Sequence, residues 1–139
     1  MSSIDQKTII KTVSAINGVD ITADGTTVGN SVDTKGFESL TFDFAYSSTT
    51  GGTFTPAIED SADNVTFVAV VDEFLIGTEA QAVPTVANVH TTIGYIGTKQ
   101  YARASIVASA VVGGAGGAVC VASTAILGSP RRAAIVNNA

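Results

Sequence analysis

The chain has no tryptophan, one histidine, one cysteine, and charged residues at only 14% of its 139 positions. Each shortage closes off a class of function. With His90 as the single histidine, no His-His metal site and no Cys-His dyad exists at usable spacing. The lone Cys120 excludes an internal disulfide framework and a cysteine-rich metal centre. Its flanks, Ala118-Val119 and Val121-Ala122, give it the setting of a small core residue. Basic residues are too few to track phosphates. The net charge is −5 with a pI near 4.5, and only Arg131 and Arg132 are adjacent, while Lys7, Lys11, Lys35, Lys99 and Arg103 are scattered. No nucleic-acid partner is expected. The opening, Met1 to Lys7, has no basic region followed by an apolar one, so no signal peptide is read and the chain is expected to be made in a cytoplasm.

What is present is apolar and β-branched. Hydrophobic residues make up 45% of the chain, enough to bury a core in a single domain of this length. Too few charges remain to clothe an isolated surface, which implies that some apolar surface meets a neighbour. The most informative stretch runs from Ile93 to Arg132: an aromatic turn, two apolar arms, the cluster Gly113-Gly114-Ala115-Gly116-Gly117, and a closing Ser129-Pro130-Arg131-Arg132. Between Arg103 and Arg131 no charge occurs, a run long enough to cross a bilayer as a helix. Composition argues otherwise. The run is built on Ala, Ser, Gly and Val, its centre holds four glycines in five residues, and Val, Ile and Thr recur in both arms. It is expected to form two buried strands joined as a hairpin at the glycine tip.

Short strands between turn signals account for the rest. Leu40, Phe42, Phe44 and Tyr46 alternate with polar or small residues, the period-two mark of a strand with its aromatic face inward. Phe54, Pro56 and Ile58 repeat the pattern, with Pro56 pointing to an edge or a bulge. Ser61-Ala62-Asp63-Asn64 is expected to turn the chain into a strand over residues 65–71, with Val65, Phe67, Ala69 and Val71 on one face. Asp72 to Gly77 reads as one helical turn capped by Asp72 and stopped by Gly77. Strands resume from Val89 to Ile96 and from Tyr101, where Ala102, Ala104, Ile106 and Ala108 make one face. Residues 1–35 are weakly patterned, with turn dipeptides Asn17-Gly18 and Asp24-Gly25, and read as an arm or an edge hairpin. The fold class that follows is all-β: an antiparallel β-sandwich, jelly-roll or Ig-like, over residues 36–132, with an extended N-terminal arm at 1–35 and a tail at 133–139.

No catalytic constellation emerges. Glu59, Asp60 and Asp63 surround a turn but lack the spaced Asp/Asn series with a distal Glu of a dedicated calcium loop, so they read as turn chemistry. The glycine cluster has no Gly-Lys-Ser/Thr ending and no dinucleotide spacing. Tyr46, Tyr95 and Tyr101 read as core or interface residues. No catalytic, cofactor-binding or metal-ligating residues are expected, and no enzyme activity is expected.

The order of motifs resembles a group of small β-sandwich virion proteins of tailed bacteriophages. The resemblance rests on Gly36 to Phe42, on Phe54 to Asp63 with its acidic turn, on Val65 to Val70, on the turn Ile93 to Arg103, and on Leu127 to Arg132. It covers about 70% of the chain, from Gly36 to Arg132. One departure is clear: the family runs into Lys-Arg-Tyr where this chain has Lys99-Gln100-Tyr101. The resemblance implies a virion component assembled in the host cytoplasm. The expected role is a capsid decoration or cement protein, with the major capsid protein or other virion subunits, and further copies of itself, as partners. A neck or minor tail protein, a carbohydrate-binding attachment module and a small membrane protein are the alternatives.

Overall fold

The computed structural model describes residues 9–47, 52–80, 83–84, 89–111 and 119–130. Ten strands form: β1 (Lys11–Ile21), β2 (Gly25–Val28), β3 (Val32–Asp33), β4 (Phe37–Tyr46), β5 (Thr53–Ser61), β6 (Val68–Ala69), β7 (Leu75–Ile76), β8 (Val89–Tyr95), β9 (Tyr101–Ser109) and β10 (Val119–Pro130). They make two antiparallel sheets. Sheet one has the order β1-β10-β4-β8-β7, and sheet two the order β2-β9-β5-β6, with β3 also on β9. The pairs β1–β10, β2–β9, β4–β8 and β5–β6 are nested in chain order. Two interleaved four-stranded sheets built from such nested pairs are a jelly roll. The sandwich expected from the sequence is therefore all-β, and the jelly-roll topology is the one it takes.

Alternation explains the core. β4 turns Leu40, Phe42, Phe44 and Tyr46 inward, and β9 answers with Ala102, Ala104, Ile106 and Ala108, all buried. Phe54 and Ile58 from β5, Ile93 and Tyr95 from β8, and Val119, Val121, Ala125 and Leu127 from β10 fill the remainder. The small alanines of β9 and the large aromatics of β4 belong to the same buried cluster. Ile58 donates its N–H to Glu79 Oε1 at 2.7 Å, away from β9. Pro56, two residues earlier on the same strand, has the same orientation, so its missing N–H removes nothing from the β9 ladder.

The sides of the sandwich are closed by two devices. On one, the β2–β3 loop bridges the sheets: Gly29 N–H donates to Ala104 O of sheet two at 2.9 Å, and Asn30 N–H donates to Ala15 O of sheet one at 2.6 Å. On the other, residues 68–76 cross from β5 to β8, with Val70 N–H on Ile58 O and Ile96 N–H on Phe74 O, both at 2.9 Å.

Several expectations are corrected by this topology. β9 and β10 do not pair as a hairpin: β9 lies between β2 and β5, and β10 between β1 and β4, so the glycine-rich connection crosses from one sheet to the other. Residues 112–118, which hold the glycine cluster, lie outside the described residues, as do 1–8 and 131–139. β1 and β2 form edge strands of opposite sheets rather than a hairpin, since the Asp24-Gly25 turn, with Gly25 at φ +144°, carries the chain across. Asn17-Gly18 sits inside β1 where the register with β10 slips, a bulge and not a reversal. The strand expected over 65–71 shrinks to β6, and Val70 is the buried side chain while Val65, Val68 and Val71 are exposed. A 3-10 turn does form at Asp72–Phe74, but Val71 takes the cap position and Asp72 lies within the turn. Among the described residues no helix is long and apolar enough to cross a membrane.

Candidate functional site

The residues singled out by their chemistry are dispersed by β-sheet alternation, and their partners show what each does. On β5, Glu59 points outward and Asp60 inward. Arg103 Nε donates to Glu59 Oε2 at 2.6 Å, and its guanidinium lies 4.1 Å from the Phe67 ring centre. That cation–π contact holds the 65–67 segment down on sheet two. Asp60, 7% exposed, accepts from the Tyr95 hydroxyl at 2.9 Å and from Lys99 Nζ at 2.8 Å. A buried carboxylate needs such partners, since its desolvation is otherwise unpaid. Burial and then the adjoining Asp60 carboxylate raise the Tyr95 phenol well above its ordinary range, so it stays a donor.

Asp63 is a turn residue. Its Oδ1 accepts the N–H groups of Val65 and Thr66, both at 2.9 Å, and the Ser61 hydroxyl at 2.8 Å. Those backbone donors hold its carboxyl at about 2. Asn64 follows at φ +61°, a left-handed position that asparagine tolerates. The three carboxylates thus take separate partners, and among the described residues no group of three His, Cys, Asp or Glu converges on a cation position.

Cys120 is exposed, against the expectation of a core thiol. β10 turns Val119, Val121 and Ser123 inward, and one residue of register puts Cys120 on the outer face. It lines a shallow depression of about 330 Å³ with Ala45, His90 and Ala122. His90 is also outward, its Nδ1 3.2 Å from both carboxylate oxygens of Asp43. Tyr46 and Tyr95 are in the core and Tyr101 is half-buried, as the sequence reading expects.

A cleft of about 460 Å³ lies between the β3–β4 and β8–β9 turns. Lys35, Phe37, Glu38, Leu40, Lys99 and Gln100 line it, with Tyr95 at the floor. Gln100 Nε2 donates to Asp33 Oδ1 at 3.1 Å, so a neutral amide meets this carboxylate. Its backbone carbonyl is fixed by Thr34 N–H and Oγ1, each at 2.8 Å.

A second feature was not anticipated from the sequence. The outer face of sheet one carries an apolar band at its β7 edge, where Ile76, Ile96 and Phe74 are 64%, 54% and 41% exposed. They meet through the β7–β8 register, Ile76 lying over Gly94 and Phe74 beside Ile96. The available signal was the even-numbered set of β8, of Ile96 just after it, and of β10, which holds Ile96 and Ile126 and only one ionisable side chain, His90, besides Cys120.

No protein-family model matches the chain, and no curated protein matches it in sequence. Solved structures share its fold. The infectious bursal disease virus VP2 subviral particle aligns over 88% of this chain at 14% identity, with a TM-score of 0.52. The Gx strain of the same virus aligns over 85% at 13% identity, with a TM-score of 0.50. The chain is similar to a β-sandwich of a viral particle protein. It spans about a third of the length of these viral chains, 33% and 31%. The SPBc2 prophage-derived protein YomS aligns over 86% of this chain and 93% of its own, at 15% identity and a TM-score of 0.45.

Proposed function

We propose that this chain is a non-enzymatic virion structural protein that decorates or cements a capsid by burying surface across subunit boundaries. The observation that carries the reading is the exposed apolar band of Ile76, Ile96 and Phe74 at the β7 edge of sheet one. Exposed apolar patches of this kind mark protein contacts. Three ion pairs act as ties: Asp60 with Lys99, joined by the Tyr95 hydroxyl, Glu59 with Arg103, and Asp43 with His90. Each ties neighbouring strands or turns of the scaffold together. A jelly roll shared with a viral particle protein fits that role, although a fold hosts many functions and does not by itself assign one.

Binding only to the assembled shell stabilises it by mass action. The test is to add the purified chain to shells assembled from the major capsid protein of the virus that encodes it. Saturable binding at fixed stoichiometry, with a raised temperature of shell dissociation, is expected. A chain that stays unbound, with shell stability unchanged, overturns the decoration role. Binding to tail or neck assemblies instead moves the protein to that part of the virion.

A further inference from the structure

We infer that Asn17 is a modification site, converted in the folded chain to aspartate and isoaspartate by attack of the Gly18 main-chain nitrogen on its side-chain amide. This goes beyond the capsid role, because the reaction needs water and no partner. Asn17 and Gly18 both lie in β1 and are exposed, on a strand that has β10 on one side only. The ladder runs from Ile16 with Ser123 to Val19 with Val121, so residues 17 and 18 have no partner in the register. A bulge leaves its extra residues out of the ladder. The main chain at this pair can therefore move without unpairing the sheet.

The reaction needs an open nucleophile, an activated carbonyl and a leaving group that is not held. Gly18 has no side chain to shield its nitrogen, and a Cβ built there would meet nothing within 4 Å. The atom attacked is Cγ of Asn17. Its Oδ1 accepts from the Ser14 hydroxyl at 2.7 Å and from Asn30 Nδ2 at 3.4 Å. Donors placed on a carbonyl oxygen stabilise the oxyanion that forms when a nucleophile adds. Both of these hydrogen bonds fall on Oδ1, so the departure of Nδ2 breaks neither.

The bond from Gly18 N to Cγ forms as the bond from Cγ to Nδ2 breaks. Nδ2 leaves as ammonia, taking the Gly18 amide proton, and a five-membered succinimide remains. One water then opens the ring. Addition at Cγ restores the main chain and leaves an aspartate. Addition at the Asn17 main-chain carbonyl leaves Gly18 joined through Cγ, an isoaspartate with one more methylene in the backbone. Either product adds a negative charge to a chain of net charge −5. The ladder has no bond to lose at this pair, so the converted chain keeps its fold.

The other described asparagines are guarded. Asn30 is fixed by its N–H on Ala15 O at 2.6 Å, and its Nδ2, the group that would leave, donates to Ser14 O at 3.1 Å. At Asn64 the nucleophile would be the nitrogen of Val65, which is crowded by a branched side chain and already donates to Asp63 Oδ1 at 2.9 Å.

The experiment incubates the full chain in mildly alkaline buffer at physiological temperature. Peptide mapping by mass spectrometry locates the conversion of amide to acid, and enzymatic methyl transfer detects isoaspartate. Asn17 should convert at least about tenfold faster than Asn30 or Asn64, as an exposed, unpaired edge opens at low cost. Native ion exchange should resolve a more acidic species with the circular dichroism of fresh protein. Gly18→Ala, which has room for its methyl group, should fold normally and slow the conversion about tenfold by hindering attack. Ser14→Ala should slow it severalfold, and a rate equal to wild type would overturn the part given to the Ser14 hydroxyl. An Asn17 amide that persists in the folded chain, conversion confined to chain unfolded in urea, equal conversion at Asn30 or Asn64, or a Gly18→Ala variant that reacts at the wild-type rate overturns the inference.

Discussion

Replacing Gly29 with alanine should loosen the whole sandwich from one point. A Cβ at Gly29 would fall well inside contact distance of two backbone oxygens, Ala104 O and Ala15 O, and 2.9 Å from Ile16 Cγ1. Neither oxygen can swing away, because one belongs to the buried centre of β9 and the other to the buried part of β1. Either the sheets part or the 29–30 loop lifts off. Lifting breaks the hydrogen bonds Gly29 N–H to Ala104 O and Asn30 N–H to Ala15 O. Two such bonds contribute about 2 kcal/mol net, and the carbonyls left without donors add about 1 kcal/mol. Alanine recovers about 0.5 kcal/mol by stiffening the unfolded chain, which leaves a loss of about 2.5 kcal/mol.

Equilibrium urea unfolding reads this directly. With a slope of about 1.5 kcal/mol/M for a domain of this size, the midpoint should fall by about 1.7 M. Gly18→Ala is the control, since a Cβ there meets nothing within 4 Å. Its midpoint should move by less than about 0.3 M, in line with a surface change within 0.5 kcal/mol. Equal midpoints for the two variants would refute the claim that the 29–30 loop fastens one sheet to the other.

Three further outcomes are expected. Ser123 points into the core of β10 and its hydroxyl is buried without a hydrogen-bond partner, so Ser123→Ala should stabilise by about 1 kcal/mol and raise Tm by about 3 °C in a thermal scan. Asp63 has a folded-state pKa of about 2, below its ordinary 3.8, so its contribution is complete above about pH 4 and is lost as pH falls toward 2. Urea midpoints at pH 5 and pH 2.5 should therefore drop less between the two in Asp63→Ala than in the wild type. Cys120, being exposed, should react with a thiol reagent in the folded protein as fast as in urea to within about tenfold; a thiol protected until unfolding would contradict the register of β10.

The parts of the fold legible in the sequence are those where alternation separates unlike residues. β4 sets Leu40, Phe42, Phe44 and Tyr46 against Thr41, Asp43 and Ala45, and no other assignment of its faces is tenable. β10 offers no such contrast. Both of its faces are made of small or apolar residues, so pattern alone does not say whether Cys120 or Val121 is inside, and the identity of the neighbouring strands decides. The same holds for the hairpin expected between β9 and β10. Two apolar strands with a glycine-rich connection serve equally as sequential partners or as a crossover, and pairing with distant β2, β5, β1 and β4 made the choice. Residues 65–71 look like a strand because they are β-branched. Arg103, however, draws Phe67 onto the outside of sheet two, and only Val70 is turned into the core. Asp60 had a signal that was available: it shares parity with Phe54, Pro56 and Ile58, which places it inward and requires a partner. The partners, Tyr95 and Lys99, lie 35 and 39 residues away and no local pattern announces them. Tertiary pairing is where sequence periodicity stops informing.

The central proposal, that this jelly roll works as a particle component through its surfaces, is tested most directly by imaging purified particles of the virus to which that proposal assigns it. A cryo-electron microscopy map should show density for two stacked antiparallel sheets at a repeated position on the shell, with copy number matching the quantified protein. Particles that lack the chain by mass spectrometry, and whose maps show no unassigned sandwich, would contradict it.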